Sequence, residues 1–242
     1  MSFENFYSEI YDSVHHDKRY DLESAQIMSF IQRQNLSGAR VLDFGCGTGK
    51  HAKVLHDFGI DVSGYDPNVN MIRVAQAKNY GVPFFDKMEE IPGTFDFVYS
   101  LFDVLSYQTS DSDVINFLSN INSVVNFPGW VLLDGWHLPA LAKDPPESRT
   151  KLFSHNGVDY IRNVKVLEMD LNGVATLEIN IEKVGVETIQ HSEIHSLRAF
   201  ESQQIYKFIE SAGGLNINLH NGLHYEEHLE AADWRFAVSY QI

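Results

Sequence analysis

The apolar residues of this chain follow two spacings that alternate from residue 21 to residue 135. Over 21–34 they recur at every third position as Leu22, Ala25 and Met28, which is the spacing of one helix face. Over 40–44 they run together, as in a short buried strand. The alternation predicts helices over 21–34, 50–58, 66–79 and 111–125, and strands over 40–44, 60–65, 82–85, 95–101 and 130–135. Strands separated by helices form a mostly parallel, doubly wound α/β sheet that is covered on both faces.

The pattern changes after Trp136. A proline-rich crossing over 139–147 is followed by about 50 residues without helical periodicity. Turn sequences at Asn156-Gly157, Asn172-Gly173 and Gly185 divide this region into extended stretches over 151–170, 174–184 and 186–200, which predicts an inserted antiparallel sheet. A helix over 201–212 and strands over 215–219 and 234–240 then resume the first pattern, with a loop between the two strands. We therefore expect a core formed by 1–137 and 200–242, and an insertion over 138–199.

Composition and charge narrow the class of protein. Of the 242 residues 44% are hydrophobic, enough for a substantial core, while 18 Lys and Arg against 33 Asp and Glu give a net charge of −15. Such a chain is a poor partner for nucleic acid or for anionic membranes. The single cysteine, Cys46, permits no internal disulfide, and no export signal or long apolar run is found. We expect a cytoplasmic protein that acts on a small molecule.

A glycine-rich loop carries the most specific chemical signal. Gly45, Gly47 and Gly49 lie between the first predicted strand and its helix, so a ligand can approach the bare backbone and the helix N-terminus. Asp66 ends the next predicted strand, about 20 residues later, where an acid accepts hydrogen bonds from ribose hydroxyls. We interpret Cys46 as a small residue that fits within this loop beside the cofactor rather than as a nucleophile.

The loop distinguishes between two nucleoside cofactors. A dinucleotide site uses Gly-x-Gly-x-x-Gly, but here Lys50 stands at the last position. Asp43, at the end of the preceding strand, would repel a pyrophosphate and attract an ammonium group. Its charge therefore favours S-adenosyl-L-methionine, with S-adenosyl-L-homocysteine as product, over NAD.

These residues resemble the first motif of the class I S-adenosylmethionine-dependent methyltransferases, and Tyr65-Asp66 resembles their ribose-binding acid. The resemblance covers about 38–137 and 200–242. It implies a Rossmann-like sheet of seven strands, the last antiparallel. It also implies that Asp86 and Met88 flank the adenine and that Ser100, Leu101 and Phe102 line the methionine side of the cofactor.

A second, narrower resemblance is to small-molecule N-methyltransferases that dimethylate nucleotide-linked amino sugars. It is carried by Tyr11-Asp12, the Ser-Leu-Phe-Asp-Val-Leu segment at 100–105, the segment over 134–139 and the inserted sheet. It implies that Tyr11 reaches the active site and that Tyr107 stands where relatives have a candidate base. It also implies that the inserted sheet covers the substrate and helps to form a homodimer.

Further candidates come from their positions in the predicted elements. We expect Tyr11, Tyr107 and His137 to be catalytic, because loops at the carboxyl ends of parallel strands meet at one edge of the sheet. Trp136 is expected to form a wall of the substrate site. His191, Glu193 and His195 alternate and so share one strand face, with His195 as a substrate contact.

Arg198 lies on the opposite face of the same predicted strand, where it could pair with a substrate phosphate or with a structural carboxylate. His220, His224 and His228 are spaced by four, but Gly222 interrupts the helix that would align them, so we expect no metal site.

Three functions remain open from the sequence. We expect methyl transfer from S-adenosylmethionine to a small polar metabolite, with N-methylation of a nucleotide-linked amino sugar as the specific hypothesis and O-methylation of a small molecule as its alternative. An NAD-linked oxidoreductase is a second class. A non-catalytic module that only binds the cofactor is the third, because an intact cofactor site does not prove turnover.

Overall fold

The computed structural model describes residues 5–185 and 189–242, apart from the side chains of residues 225 and 226. Its helices are α1 (Asn5–Val14), α2 (Tyr20–Arg33), α3 (Lys50–Asp57), α4 (Val69–Ala77), α5 (Asp111–Ser123), α6 (Leu138–Leu141) and α7 (Ser202–Ser211). Its strands are β1 (Arg40–Phe44), β2 (Asp61–Tyr65), β3 (Phe84–Phe85), β4 (Phe95–Ser100), β5 (Val125–His137), β6 (Arg149–His155), β7 (Val158–Met169), β8 (Val174–Lys183), β9 (Ile189–Phe200), β10 (Leu215–Asn221), β11 (His224–His228) and β12 (Arg235–Gln241). None of the described helices is long and apolar enough to cross a membrane.

The core sheet has the strand order β3-β2-β1-β4-β5-β12-β10. The first five strands are parallel, and β12 lies antiparallel between β5 and β10. Strands β6 to β9 form an antiparallel sheet that joins the core where the last two residues of β9 pair with the end of β5. The predicted doubly wound, mostly parallel fold with an inserted antiparallel sheet is confirmed.

Successive residues of the central strands serve two separate cores. Val41, Phe97 and Leu132 point to the face covered by α2, α3 and α4. Their chain neighbours Leu42 and Val98 point to the opposite face, which α5 and α7 cover. Because both faces are buried, these strands are apolar at nearly every position, which is the continuous pattern seen in the sequence.

A third core joins the N-terminal helix to the inserted sheet. Tyr7, Ile10 and Val14 of α1 are buried against the inner face of β6 to β9, where Ile179 and Ile181 are also buried. No helix was predicted over residues 5–14, where α1 lies. It is nevertheless this helix that closes the space between the core sheet and the insertion.

Several predicted elements have different bounds in the structure. The helix predicted from residue 66 begins at Val69, because the Asn68 side chain accepts hydrogen bonds from the backbone of Asn70 and Met71 and caps it. The loop predicted before the last strand contains β11, which pairs with β10 and sets His220 opposite His228 on neighbouring strands. The stretch predicted from residue 186 starts outside the described residues, and its strand is described from residue 189.

Candidate functional site

The glycine loop connects β1 to α3 and is held against the end of β2. The backbone N–H groups of Gly45 and Cys46 both donate to the carbonyl oxygen of Tyr65, at 2.7 and 2.9 Å. Gly45 and Gly47 have left-handed φ angles of 87° and 53°, which glycine adopts without a steric penalty. A Cβ atom at Gly45 would lie 2.8 Å from Val104, whereas one at Gly47 would meet nothing within 4 Å. The loop is therefore tightly packed at its start and open at Gly47.

A buried carboxyl group, that of Asp43, and a half-buried one, that of Asp66, flank this loop. The Asp66 carboxylate accepts hydrogen bonds from the backbone N–H groups of Gly47 at 2.9 Å and Asn68 at 2.8 Å. Asp43 is 2% exposed, and its Oδ2 has no hydrogen-bond partner within the described part of the chain. Burial raises the pKa of each of these carboxyl groups to about 6.

These features fit the expected cofactor. A buried anion with an unsatisfied oxygen is costly unless a cation or a donor satisfies it, and an ammonium group would do so at Asp43. Asp66 keeps further acceptor capacity for ribose hydroxyls, because a carboxylate can accept about four hydrogen bonds. The open backbone at Gly47 leaves room for the ligand between the two carboxyl groups.

The segment after β4 forms a second wall of the site and is strained. Phe102 and Asp103 have left-handed φ angles of 71° and 66°, which non-glycine residues seldom adopt. The carboxylate of Asp134, on β5, holds this turn by accepting from the backbone N–H of Phe102 at 3.0 Å and of Asp103 at 2.9 Å. Arg235 pairs with Asp103 at 2.6 Å. Burial and the neighbouring Asp103 carboxylate raise the pKa of Asp134 to about 7.

Helix α1 supplies an aromatic wall. Tyr7, Tyr11 and His15 follow one another at intervals of four, and all three line the cavity. Asp12 ties the helix to the glycine loop, because its carboxylate accepts from the Thr48 hydroxyl at 2.6 Å and pairs with Lys78 at 2.5 Å. Burial lowers the pKa of His15 to about 3, so its imidazole is neutral.

The inner face of the inserted sheet closes the cavity opposite the glycine loop. Leu177 and Ile179 of β8, His195 of β9, Arg149 of β6 and Arg162 of β7 all reach it. Pairing across β6 to β9 gives these residues one common face. The wall is thus apolar at its centre and carries two guanidinium groups.

Tyr107 and Trp136 complete the boundary between the two sheets. The hydroxyl of Tyr107 lies 2.9 Å from Nδ1 of His195, so a residue of the core contacts one of the insertion. Burial raises the pKa of Tyr107, and the phenol therefore keeps its proton. Trp136 lines the cavity from the end of β5, where its backbone N–H donates to the Ser106 hydroxyl at 3.0 Å.

The structure brings most of the predicted site residues to one cavity. Those that line it are Tyr11, Gly45, Cys46, Gly47, Asp66, Leu101, Phe102, Tyr107, Trp136 and His195. The residues predicted for the cofactor that do not line the cavity are Asp43, Gly49, Asp86, Met88 and Ser100. Asp86 follows Phe85, whose carbonyl oxygen accepts from the backbone N–H of Asp66 at 3.1 Å.

Two predicted residues lie away from the cavity. His137 is 2% exposed, and its ring nitrogens lie 3.0 Å from the carbonyl oxygen of Asp233 and 3.0 Å from the hydroxyl of Ser202. His137 directly follows Trp136 on β5, so its side chain points to the opposite face of the strand. Arg198 pairs with the Asp111 carboxylate at 2.7 Å. Of the two partners considered for it, a structural carboxylate and a substrate phosphate, the structure has the carboxylate.

Several cavity residues were not predicted, among them Tyr7, His15, Asp103, Arg149, Arg162 and Arg235. A local signal existed for Tyr7, because it precedes Tyr11 by four residues on what is now seen to be a helix. For the arginines of the insertion there was no local signal, because only the strand pairing fixes which face they occupy.

Known proteins resemble this chain over most of its length. A sequence model of the methyltransferase domain matches residues 15–169. A protein of Geobacillus sp. (strain WCH70) that carries a methyltransferase name is 27% identical over 223 residues, spanning 88% of this chain and 89% of the relative.

A second relative is the dTDP-3-amino-3,6-dideoxy-alpha-D-glucopyranose N,N-dimethyltransferase of Streptomyces fradiae, which is 25% identical over 223 residues, 89% of this chain and 86% of the relative. Among solved structures, an S-adenosylmethionine-dependent methyltransferase from Clostridium acetobutylicum superposes with a TM-score of 0.77 at 18% identity and 98% coverage of both chains. That likeness is one of fold.

Proposed function

Since the chain belongs to the methyltransferase-domain family and is an S-adenosylmethionine-dependent methyltransferase, we propose that its acceptor is the amino group of a nucleotide-linked sugar. Membership in this family argues against two alternatives left open by the sequence, an NAD-linked oxidoreductase and a module that only binds the cofactor. The observation that carries the proposal is the pair Arg149 and Arg162 on the cavity wall opposite the glycine loop.

These two guanidinium groups suit the phosphates of a nucleotide. Within the described part of the chain neither forms an ion pair with a carboxylate, and Arg162, 9% exposed, donates from Nε to the Tyr7 hydroxyl at 3.2 Å. Arg149 is an exposed residue that reaches the cavity, and partial desolvation together with repulsion from the Arg162 guanidinium lowers its pKa. An anion between the two would relieve this repulsion and form charge-assisted hydrogen bonds.

The pair gives the cavity positive charge, although the protein as a whole has a net charge of −15 that would repel a diphosphate. Arg198, the residue predicted from the sequence as a possible phosphate partner, pairs with Asp111, and the cationic Lys151 of β6 pairs with Asp17. The cavity instead gains its positive charge from β6 and β7. A local cationic patch inside an acidic protein can bind a diphosphate that the surface as a whole repels.

Methyl transfer requires mainly that the protein position the methyl donor and the acceptor nitrogen correctly. When bound, the cofactor supplies an activated sulfonium methyl group. The chain's own residues hold the acceptor nitrogen in line: Tyr11 and Trp136 enclose it, Tyr107 and His195 face it, and the apolar inserted sheet excludes water. An amine must be neutral to attack, so a nearby proton acceptor is useful even though the reaction needs no strong base.

The relative from Streptomyces fradiae supports the choice of an amine over a hydroxyl, because its name specifies N,N-dimethylation of a dTDP-linked amino sugar. We extend the proposal to the architecture. The core of 1–137 and 200–242 holds the cofactor, the insertion over 138–199 covers the substrate, and the enzyme works in the cytoplasm.

A homodimer through the insertion is part of the same proposal. The outer face of the inserted sheet exposes several large apolar side chains, including Leu152 at 66% and Ile194 at 51%, which a second copy would cover. Ile194→Glu should convert a dimer to a monomer in sedimentation equilibrium. A wild-type chain that sediments as a monomer at all concentrations would refute this part.

The experiment that tests the acceptor is a methyl-transfer screen with a dTDP-amino sugar, the corresponding free amino sugar, a dTDP-sugar with a hydroxyl instead of the amine, and a phenol. We expect turnover of the dTDP-amino sugar above all others. Turnover only of the hydroxyl sugar or the phenol would replace N-methylation by O-methylation.

Arginine variants add a second readout. Loss of one charge-assisted hydrogen bond costs about 1.5–3 kcal/mol, so Arg149→Met should raise the KM for the dTDP-amino sugar about 10- to 150-fold. The affinity for S-adenosylhomocysteine should stay constant. Lys151→Met, on the same strand face but paired with Asp17, is the matched control. An unchanged KM for Arg149→Met and Arg162→Lys would remove the phosphates from this site.

A further inference from the structure

A chain of hydrogen bonds runs from the cavity into the core of the inserted sheet. It begins at the Tyr107 hydroxyl, which lies 2.9 Å from His195 Nδ1. On its far side, His195 Nε2 lies 2.8 Å from Oε2 of Glu193, and the other oxygen of Glu193 lies 2.8 Å from His191 Nε2. The Glu193 side chain is 1% exposed, so the arrangement is shielded from water. Of the four residues, Tyr107 and His195 line the cavity.

The chemistry of these groups fixes the direction of the hydrogen bonds. An ionised carboxylate can only accept, so both imidazoles donate to Glu193 through their Nε2–H groups. With Nε2 as the donor to Glu193, the His195 ring offers Nδ1 as the acceptor for the Tyr107 hydroxyl. With its proton directed at His195, the Tyr107 hydroxyl acts as an acceptor toward the cavity that this residue lines.

We propose that Tyr107 and His195 form a proton relay that removes the proton from the methylated acceptor nitrogen, with Glu193 and His191 as positioning residues. The inference rests on the proposed function, because an amine acceptor retains an N–H proton after methylation. Without its removal the nitrogen has no lone pair for a second methyl group.

The step balances in atoms and charge. The N–H bond of the product ammonium breaks and its electron pair stays on nitrogen. The proton passes to the Tyr107 oxygen while the proton of the Tyr107 hydroxyl passes to His195 Nδ1. His195 becomes an imidazolium beside the Glu193 carboxylate, and it loses its proton to water after product release. Because burial disfavours the Tyr107 phenolate, simultaneous transfer avoids forming that anion.

The charged and titratable groups around the relay come from several elements. Tyr7 of α1 has its ring centroid 6.2 Å from that of His195, and its hydroxyl is bonded to Arg162 of β7. Asp103, from the segment after β4, raises the pKa of Tyr107 further, after burial and Tyr7. Arg162 lowers the pKa of Tyr107 and Glu193 raises it, and the Glu193 carboxylate is hydrogen-bonded to His195.

The first test determines the tautomer without any substrate. The ¹⁵N chemical shifts of the His195 ring in the free protein should show a protonated Nε2 and an unprotonated Nδ1. Tyr107→Phe and Glu193→Gln identify the signals and report on the two hydrogen bonds. A His195 with its proton on Nδ1 in the wild-type protein would overturn the relay, whatever the acceptor proves to be.

The second test is kinetic and uses the dTDP-amino sugar. General acid–base groups contribute about 10²- to 10⁴-fold, so Tyr107→Phe and Glu193→Gln should each lower kcat for the second methylation about 100-fold, with KM and S-adenosylhomocysteine affinity nearly unchanged. Their residual rates should rise with pH as solvent supplies the neutral amine. The double variant should be no slower than either single variant, since both interrupt one relay.

Glu178→Gln is the matched control, because Glu178 pairs with Ile194 on the outer face of the same sheet. A wild-type kcat in Glu193→Gln, or a loss of rate with no pH dependence, would overturn the relay. If the wild-type enzyme methylates no amine, the proposed function fails instead, and the ¹⁵N measurement still decides whether the hydrogen bonds have the stated direction.

Discussion

Asp66→Asn is a sharp perturbation of the cofactor site because it changes charge and hydrogen bonding with little change of shape. In the wild-type protein one carboxylate oxygen accepts from Gly47 N–H and the other from Asn68 N–H. Asparagine has one carbonyl oxygen and one NH₂ group. One of the two backbone donors must therefore face another donor, and the ribose loses a charged acceptor.

The size of the effect follows from these bonds. A hydrogen bond to a charged group contributes about 1.5–3 kcal/mol, and a buried donor left without an acceptor costs about 1–3 kcal/mol. The loss at the ribose alone should raise the Kd for S-adenosylhomocysteine about 10- to 150-fold. Distortion at Gly47 raises the Kd further, so the total increase should be at least about 10-fold.

Isothermal titration calorimetry with S-adenosylhomocysteine at about pH 7.5 measures the change, at a pH where Asp66 with its pKa of about 6 is ionised. Asp61→Asn is the control, since Asp61 is exposed at the start of the same strand, β2. Unfolding by urea checks that both variants are folded. A folded Asp66→Asn that binds within about twofold of the wild-type Kd would refute the role of Asp66.

Two further predictions concern the same edge of the sheet. Burial raises the pKa of Asp43 and Asp66 to about 6, and a cationic ligand favours their ionised forms. Affinity for S-adenosylhomocysteine should therefore fall as the pH falls through about 6, and a Kd constant from about pH 8 to pH 5 would contradict this. Asp134→Ala leaves the buried N–H groups of Phe102 and Asp103 without their acceptor, which should lower the free energy of unfolding in urea by about 2–5 kcal/mol. Equal midpoints for this variant and the wild type would show that the turn does not depend on Asp134.

The cofactor half of the site was predictable because its signals are local. Asp43, the glycines and Asp66 lie at the ends of two adjacent strands, and strand–turn–helix spacing brings them together before any long-range pairing is known. Leu101 and Phe102 were implied by the resemblance to class I methyltransferases, and they follow β4, which pairs with β1.

The acceptor half was not predictable in the same way. In the β6–β7 register Arg149 pairs with Val164, and Arg162 lies two residues before Val164 on the same strand. Both arginines therefore lie on one face of the sheet, and this pairing is what brings them to the cavity. A shift of one residue in that register would turn them outward. His137 shows the same dependence in reverse, because one residue beyond Trp136 places it on the other face of β5.

Helix α1 was missed for a different reason. Its aromatic residues serve two roles, since Tyr7 and Tyr11 belong to or pack against the third core and also line the cavity together with His15. Its apolar stripe is therefore mixed with polar groups that a sequence pattern assigns to a surface. The partner that buries this stripe, the inserted sheet, lies more than 130 residues further along the chain.

The proposed activity is methylation of the amino nitrogen of a nucleotide-linked sugar. Its most direct measurement is the mass and fragmentation of a dTDP-amino sugar after incubation with the enzyme and S-adenosylmethionine. We expect the addition of one and then two methyl groups, both in the fragment that contains the sugar nitrogen. An unchanged dTDP-amino sugar, under conditions in which the same enzyme methylates a hydroxyl or a phenol, would contradict it.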